Sequence, residues 1–446
     1  MPRCFEIRRN CVKSIIVGLG KLTSKSWLAA EVAAGSAWSA VWTFPSVLGA
    51  AVLIAWGAEA AQFLISQGLA LAILAWLQTL PEFAVEAVIS YEAGQDPSKT
   101  YLMTANFTGS LRLLVGLGWP MIYATAAFFN RRKRNAALGH IDLDREHAIE
   151  VVSLLPPILY FFFIWWKGTL EWYDSVVLTI VYLIYLFLLN KIPPQSDEKL
   201  EDIERIPRAI LMQKPAVRNS IIIGLFAIGA LILYFVAHPF LESMLGLAVT
   251  LGISQFVFVQ WVSPFLSEFP EKVSAFYWAK KVHSAPMALM NMVSSNINQW
   301  TMLVAMLPLV YAYSHGSFAP ILFDDHQKLE IILTMGQSML GMMLLANMRF
   351  AWWEALTIFV LWAIQFVFSG LEAPPPGVEG MNQFALSVAG AIGTEASSVE
   401  WFAHLVKIVM VYVYFGWAAL EIVFGFIGRR GTPAFTDFPK LIREHW

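Results

Sequence analysis

Long apolar stretches restrict this chain to one class of fold. Residues 221–237, 302–313 and 408–427 are almost wholly apolar, and only Glu421 adds a charge to the last of them. A helix needs about 20 mostly apolar residues to cross the hydrocarbon core of a bilayer. Charged residues make up 14% of the chain, whereas a soluble domain carries about 25%. We therefore expect an all-α membrane protein.

The apolar stretches predict about eleven membrane-spanning helices. A first group of five is expected at residues 36–65, 67–91, 101–125, 149–167 and 171–190. A second group of five is expected at 219–247, 252–279, 286–312, 326–347 and 350–370, and an extra C-terminal helix at 402–427. The groups define two units, 36–190 and 219–370. The predicted connections are a basic N-terminal tail (1–35), a cytoplasmic linker (191–218), an acidic outside loop (371–401) and a cytoplasmic tail (428–446).

Lysine and arginine in the short loops predict the orientation of these helices. The loops after the third, fifth, seventh and eleventh predicted helices are basic, as in residues 131–134, whereas residues 371–401 contain four Glu and no Lys or Arg. The first helix is therefore expected to start outside the membrane. The basic N-terminal tail would then also be outside, so either it lies along the surface or residues 26–44 form an additional crossing.

Two short motifs occur in the same order in both halves of the chain. Residues 78–82 read Gln-Thr-Leu-Pro-Glu, and residues 106–110 read Asn-Phe-Thr-Gly-Ser. Residues 267–271 read Ser-Glu-Phe-Pro-Glu, and residues 291–296 read Asn-Met-Val-Ser-Ser-Asn. Five predicted crossings separate the two copies of the motifs. Because five is an odd number, the second copy enters the membrane from the opposite side and is inverted relative to the first. The sequence thus predicts two inverted five-helix repeats, an arrangement typical of secondary transporters.

These motifs resemble those of the sodium/calcium exchanger (cation/calcium antiporter) superfamily, whose repeats carry Gly-Thr-Ser-x-Pro-Glu and then Gly-Asn-x-x-Gly-Ser-Asn. The resemblance implies export of Ca²⁺ in exchange for Na⁺ or H⁺, with the first and sixth helices sliding against the other repeat helices to alternate access. Ca²⁺/H⁺ exchange, or exchange of another cation for H⁺, is the alternative within this fold. The long cytosolic insertion of animal exchangers is absent, which implies a compact prokaryotic-type member in a bacterial or archaeal cell membrane.

The residues around Pro-Glu have the chemistry of a cation site. A carboxylate inside a membrane is costly and is by default a functional candidate. Pro81 and Pro270 lack an N–H, so the carbonyls of Leu77 and Leu266 are expected to be free. Calcium prefers six to eight oxygen ligands. The candidate oxygen ligands are Glu82, Glu271, Asn106, Asn291, Thr79, Ser267, Ser110, Ser295, Glu86, Glu268 and Asn296. In the alternative interpretation, the prolines kink these helices for packing and the polar side chains join helices.

Two acids depart from the family motifs. Glu86 lies one helical turn after Glu82, and Glu268 stands where the family has Ser or Thr. Crowded acids repel one another, which favours a retained proton on one of them. We therefore expect protons to take part in exchange through Glu86 or Glu268. Arg112 either neutralises one of these acids or forms a structural ion pair with Glu86.

Other features predict what the chain lacks. There is no nucleophile with a base and no zinc-binding His pair, so we expect no enzyme and no cofactor; an intramembrane enzyme or a cation channel is the alternative from another class. His238 is isolated in the sequence and is expected to have no metal-ligand partner at helical spacing. Glu242 is expected at the interface or on an access path. The expected partners are membrane lipids and inorganic cations, with no nucleic acid and no obligate protein partner.

Overall fold

The computed structural model describes residues 37–64, 76–191, 205–372 and 383–445. The predictions for the N-terminal tail, for most of the possible extra crossing and for the start of the second helix lie outside these residues. The described chain is mostly helical, in agreement with the all-α membrane fold expected from the sequence.

The first half contains seven α-helices among its described residues. They are α1 (Ala40–Ala61), α2 (Leu80–Gln95), α3 (Thr100–Leu113), α4 (Trp119–Arg134), α5 (Ala148–Ser153), α6 (Leu155–Lys167) and α7 (Trp172–Lys191). A π-helical turn, Leu114–Gly118, joins α3 to α4. Two short strands are β1 (His140–Asp142) and β2 (Thr169–Leu170). Short 3₁₀ helices occupy Ala37–Ser39, Gln62–Leu64, Pro97–Lys99 and Arg145–His147.

The remainder of the described chain contains eleven further α-helices. They are α8 (Arg205–Leu211), α9 (Pro215–Leu251), α10 (Gln255–Ser267), α11 (Phe269–Lys280), α12 (Ala285–Asn298), α13 (Val304–His315), α14 (Asp325–Leu345), α15 (Trp352–Ser369), α16 (Gln383–Ile392), α17 (Ala396–Phe426) and α18 (Pro433–His445). A second π-helical turn, Gln299–Leu303, joins α12 to α13. Two more strands are β3 (Ile321–Leu322) and β4 (Arg349–Ala351).

The strands and turns show the inverted relation of the two halves. Strand β1 pairs with β4 and β2 pairs with β3, both antiparallel, so each pair joins one strand from each half. The π-helical turns interrupt the equivalent helices α3–α4 and α12–α13. Left-handed residues end these helices at matching places: Asn135 (φ 54°) follows α4 and Gly316 (φ 80°) follows α13. Asn and Gly are the residues that adopt this conformation at least cost. The repeat prediction is confirmed.

The helices that carry Pro-Glu are interrupted. Helix α10 ends at Ser267 and α11 begins at Phe269, while α2 begins at Leu80 after a turn at Thr79. Each proline lies in the first turn of the new helix, where its missing N–H removes no helical hydrogen bond. The prolines thus start helices and do not merely kink them.

The end of α10 is capped by the residue that follows it. The backbone N–H of Glu268 donates to the carbonyl of Pro264 at 2.9 Å. This bond leaves the expectation for the Leu266 carbonyl unaltered, so its freedom from a helical hydrogen bond stays a prediction.

Eight helical stretches among the described residues are long and apolar enough to cross a membrane. They are Ala37–Ala61, Pro97–Lys133, Arg145–Lys167, Trp172–Lys191, Pro215–Leu251, Asp325–Leu345, Trp352–Ser369 and Ala396–Phe426. The second predicted crossing is only partly within the described residues. The seventh is divided between α10 and α11, and the eighth carries the polar motif residues, so neither is among these eight. The chain is a multi-pass membrane protein, and the number eleven stays a prediction.

Several predicted boundaries differ from the structure. The expected loop 371–401 contains α16 and the start of α17, and the expected linker 191–218 contains α8. The third predicted crossing, 101–125, is part of a helical stretch that continues to Arg134. The apolar stretches end before the charged residues, whereas the helix continues through them, as at residues 131–134. In the packed structure, α1 lies along α9, α3 along α10, and α14 along α17.

Candidate functional site

Three predicted carboxylates come together at the two helix breaks. Glu82 lies in the first turn of α2, Glu271 in the first turn of α11, and Glu268 between α10 and α11. All three are fully buried. Each is close enough to the others for like-charge repulsion. The first turn of a helix favours negative charge, because its N–H dipoles point toward it. We call Glu82, Glu268 and Glu271 the central carboxylates.

Gln299 connects the central carboxylates of the two repeats. Its Nε2 donates to Glu82 Oε2 at 2.7 Å and to Glu268 Oε1 at 2.8 Å. Gln299 belongs to the π-helical turn after α12, where the wider turn carries the side chain toward the site. The equivalent residue of the first repeat is Leu114, so no duplicated motif marks Gln299 in the sequence.

Glu271 differs from its two neighbours in having neither oxygen satisfied. Both of its oxygens are buried without a hydrogen-bond partner among the described residues, and so is Glu82 Oε1. Burying an ionised carboxylate without a donor or a cation is very costly. The arrangement therefore favours a bound cation or a bound proton at Glu271.

Two predicted hydroxyl ligands lie beside the central carboxylates. Ser110 is next to Glu82 and Glu268, and Ser295 is next to Glu271. Both hydroxyls are buried, and neither oxygen has a hydrogen bond of good geometry with the described residues. Like the two helix breaks, these serines come from equivalent positions of the two repeats.

Two other predicted hydroxyl ligands bond to nearby polar atoms of the chain. Thr79 Oγ1 donates to the carbonyl of Trp76 at 2.8 Å and accepts from Asn298 Nδ2 at 2.7 Å. Ser267 Oγ donates to the carbonyl of Ser263 at 3.0 Å. Both residues are buried. Their hydroxyls already have partners, so they are less available to a cation than the two serines above.

The predicted asparagines retain free carbonyl oxygens. Asn291 Nδ2 donates to Gln78 Oε1 at 3.2 Å, and Asn296 Nδ2 donates to the Leu111 carbonyl at 3.4 Å. Asn106 Nδ2 donates to the Glu86 carboxylate. In all three, Oδ1 is buried and accepts no hydrogen bond from the described residues. Neutral amide oxygens of this kind are suitable ligands for Ca²⁺.

Glu86 lies one turn beyond Glu82 and is fully buried. It is held by Asn106, and its Oε1 has no partner among the described residues. The proposed ion pair between Glu86 and Arg112 was wrong. Arg112 instead donates to Glu330 Oε2 at 2.5 Å, because its side chain leaves α3 on the side that faces α14.

A lysine near the central carboxylates was missed in the sequence. Lys272 is nearly buried, and its Nζ donates to Glu268 Oε2 at 2.6 Å. The i, i+4 spacing of Glu268 and Lys272 is the signal that could have identified this pair. Three central carboxylates thus face one ammonium group, which leaves an excess of negative charge when all of them are ionised.

A second buried ionic network lies between α3, α14 and α17. The Lys407 ammonium donates to the carboxylates of Glu330 and Glu372, and Arg112 donates to Glu330 as described above. Lys407 belongs to α17, the helix outside the two repeats. The extra helix is therefore bonded directly into the repeat structure, a connection that no motif predicted.

The comparisons with known proteins agree with this geometry. The family model described as sodium/calcium exchanger protein matches residues 35–190 and 221–371. A crystal structure of the H⁺/Ca²⁺ exchanger CAX is similar, with 26% identity, coverage of 92% of this chain and 91% of that chain, and a TM-score of 0.75. Native YfkE shares the fold at 13% identity over 76% of this chain and 93% of that chain, with a TM-score of 0.53.

The sodium-calcium exchanger NCX_Mj also matches, at 21% identity over 75% of this chain and 98% of that chain, with a TM-score of 0.48. A comparison with curated protein sequences found no match. The family model covers most of both halves and well over half of the residues. The chain therefore belongs to the sodium/calcium exchanger protein family.

Proposed function

We propose that this protein is a secondary antiporter that exchanges Ca²⁺ for protons at the central carboxylates. The observation that carries the proposal is Glu271, whose two buried oxygens have no partner among the described residues, next to Glu82 and Glu268. Such a carboxylate needs either a cation or a proton. Alternate occupancy by the two is the chemistry of Ca²⁺/H⁺ exchange.

The Ca²⁺ ligands in this proposal come from both repeats. Glu82 and Glu271 supply the anionic oxygens, and Ser110 and Ser295 supply hydroxyl oxygens beside them. The Gln299 Oε1 atom is also buried and unpartnered among the described residues. Together these groups offer the mixed carboxylate, hydroxyl and amide oxygens that Ca²⁺ prefers.

Of the two proton carriers expected from the sequence, Glu86 and Glu268, this proposal keeps Glu86 only. Glu268 is already neutralised by Lys272 at 2.6 Å, so it has less need of a proton. Glu271 and Glu82 lack such a partner, and Glu86 has an amide partner only. Arg112 is engaged by Glu330 and does not compete for these acids. We assign proton binding to Glu271, Glu82 and Glu86.

Coupling to protons is also supported by the similarity to the H⁺/Ca²⁺ exchanger CAX over nine-tenths of the chain. The direction of Ca²⁺ transport in this proposal is export, from a bacterial or archaeal cell, with inorganic cations and lipids as partners and no resident cofactor. Access would alternate by sliding of α1 and α9, which lie along each other, against the rest of the repeats.

The test is ⁴⁵Ca²⁺ uptake into vesicles reconstituted with the purified protein. An imposed pH gradient should drive uptake without Na⁺, and a protonophore should abolish it. Uptake that needs a Na⁺ gradient and ignores pH would overturn proton coupling and assign Na⁺/Ca²⁺ exchange. Uptake that needs no ion on the opposite side would instead identify a channel.

A further inference from the structure

A second group of metal-ligating side chains lies between α2 and α9, away from the central carboxylates. Glu92 is in the last turn of α2, and His238 and Glu242 are on α9. One ligand atom from each residue lies within 4.8 Å of the other two. His238 was expected to have no metal-ligand partner at helical spacing, and this was wrong because Glu242 lies one turn later on α9. Glu92, from another helix, lies 146 positions earlier in the sequence and could not be linked to His238 by spacing.

Glu92 has the features of an incomplete site. It is 8% exposed, its Oε2 accepts a hydrogen bond from Lys99 Nζ at 2.9 Å, and its Oε1 lies 3.2 Å from His238 Nε2. That Oε1 is buried and receives no hydrogen bond of good geometry from the described residues. A buried carboxylate oxygen whose nearby imidazole makes no well-aligned hydrogen bond requires an explanation, and a shared metal ion is one.

The other comparable cluster contains its own cation. Ligand atoms of His326, Glu330 and Glu372 also lie within 4.8 Å of one another. There, the Lys407 ammonium donates to both carboxylates and so takes the place of an ion. At Glu92 the ammonium of Lys99 occupies only one oxygen. The Glu92 cluster is therefore the better candidate for a metal.

The ligand types indicate which metal would bind. One imidazole with two carboxylates suits Zn²⁺, whereas Ca²⁺ prefers oxygen ligands alone. Ligand atoms about 2.0–2.2 Å from a Zn²⁺ ion lie within about 4.4 Å of each other. The ligand atoms of Glu92, His238 and Glu242 lie within 4.8 Å of one another, so only small side-chain movements are needed to bring them within about 4.4 Å. We propose that Glu92, His238 and Glu242 bind Zn²⁺.

Bound Zn²⁺ would join α9 to α2. The site is near the turn between α2 and α3. The distribution of Lys and Arg in the loops predicts that this turn is on the outer side of the membrane. Sliding of α9 against α2 would break the coordination, so external Zn²⁺ slows exchange. This second step rests on the proposed function, whereas metal binding does not.

Binding is tested first with purified wild-type protein and single variants. Zn²⁺ titration by calorimetry, and Co²⁺ as a spectroscopic probe, should show one site that His238→Ala and Glu242→Gln weaken at least tenfold. His404→Ala is the matched control, because His404 is an exposed histidine on α17, and it should bind as wild type does. Lys99→Met should tighten binding by removing the competing ammonium. Equal Zn²⁺ affinity in wild type and His238→Ala would overturn the site.

Inhibition is tested second, in the vesicle assay. Zn²⁺ added on the side of the α2–α3 turn should slow Ca²⁺ flux by wild type and by His404→Ala, and should spare His238→Ala. Equal inhibition of wild type and His238→Ala, or no inhibition of a wild type that binds Zn²⁺, would overturn the claim that Zn²⁺ bound between α2 and α9 slows exchange. If wild type transports no Ca²⁺, the proposed function fails while the titration still decides the metal site.

Discussion

Replacement of Lys407 tests whether charge anchors α17 to the repeats. Lys407 is 6% exposed, and its partners Glu330 and Glu372 are 0% and 5% exposed. With the guanidinium of Arg112, the network holds two positive and two negative groups, so its formal charge is zero. Lys407→Met would leave one buried negative charge without compensation.

The expected loss of stability follows from this imbalance. Removing one partner of a buried ion pair costs about 3–5 kcal/mol, mostly because the other charge stays buried. We expect Lys407→Met to lower the free energy of unfolding by about that amount. Adding Glu372→Gln returns the network to neutrality, so the double variant should recover more than half of the loss.

The assay is unfolding of the purified protein in detergent by added SDS, followed by far-UV circular dichroism. The matched control is Lys214→Met at an exposed lysine, where a change within about 0.5 kcal/mol is expected. A loss below about 1 kcal/mol for Lys407→Met, or a double variant less stable than the single one, would refute the charge-balance argument.

Three further predictions concern other charged groups. Lys272→Met removes the ammonium beside Glu268, so half-maximal transport should need a roughly tenfold lower Ca²⁺ concentration, measured by initial ⁴⁵Ca²⁺ uptake; an unchanged concentration argues against Lys272 acting on the site. Glu86→Gln keeps a polar partner for Asn106, so the protein should fold, but the pH dependence of uptake should weaken; a profile identical to wild type would remove Glu86 from the proton carriers. Arg145 lowers the pKa of Glu444 by hydrogen bonding, so this contribution to the docking of α18 is present above the ordinary glutamate pKa of about 4.3 and is lost as pH falls below the lowered value. Protease cleavage of α18 should therefore be modestly faster in acid for wild type, and Arg145→Gln should lose this pH dependence, because an exposed ion pair stabilises only weakly; the same pH dependence in both proteins would contradict this.

The parts of the site that were predictable from the sequence follow from the duplicated motif. Glu82 and Glu271 are the same position of two inverted repeats, so the symmetry of the fold brings them together. Proline beside each of them marks a helix start, which local backbone chemistry explains. Their proximity could thus be expected without knowledge of the structure.

The remaining contacts depend on packing between distant segments. Both expectations for Arg112 involved acids near the motifs in sequence, yet Arg112 lies against Glu330, which is 218 residues away. Lys407 and Glu92 have their partners on other helices, at no helical spacing. A periodic pattern shows which face of a helix is buried, but it does not show which other helix covers that face.

The central claim is that Ca²⁺ and protons compete for the carboxylate of Glu271. The most direct measurement follows Ca²⁺ entry and internal pH at the same time in vesicles containing wild type or Glu271→Gln. The account predicts that Ca²⁺ entry through wild type raises internal pH as protons leave, and that Glu271→Gln, folded and inserted, shows neither signal. Ca²⁺ entry without a pH change in wild type, or proton-coupled Ca²⁺ entry through Glu271→Gln at the wild-type rate, would contradict it.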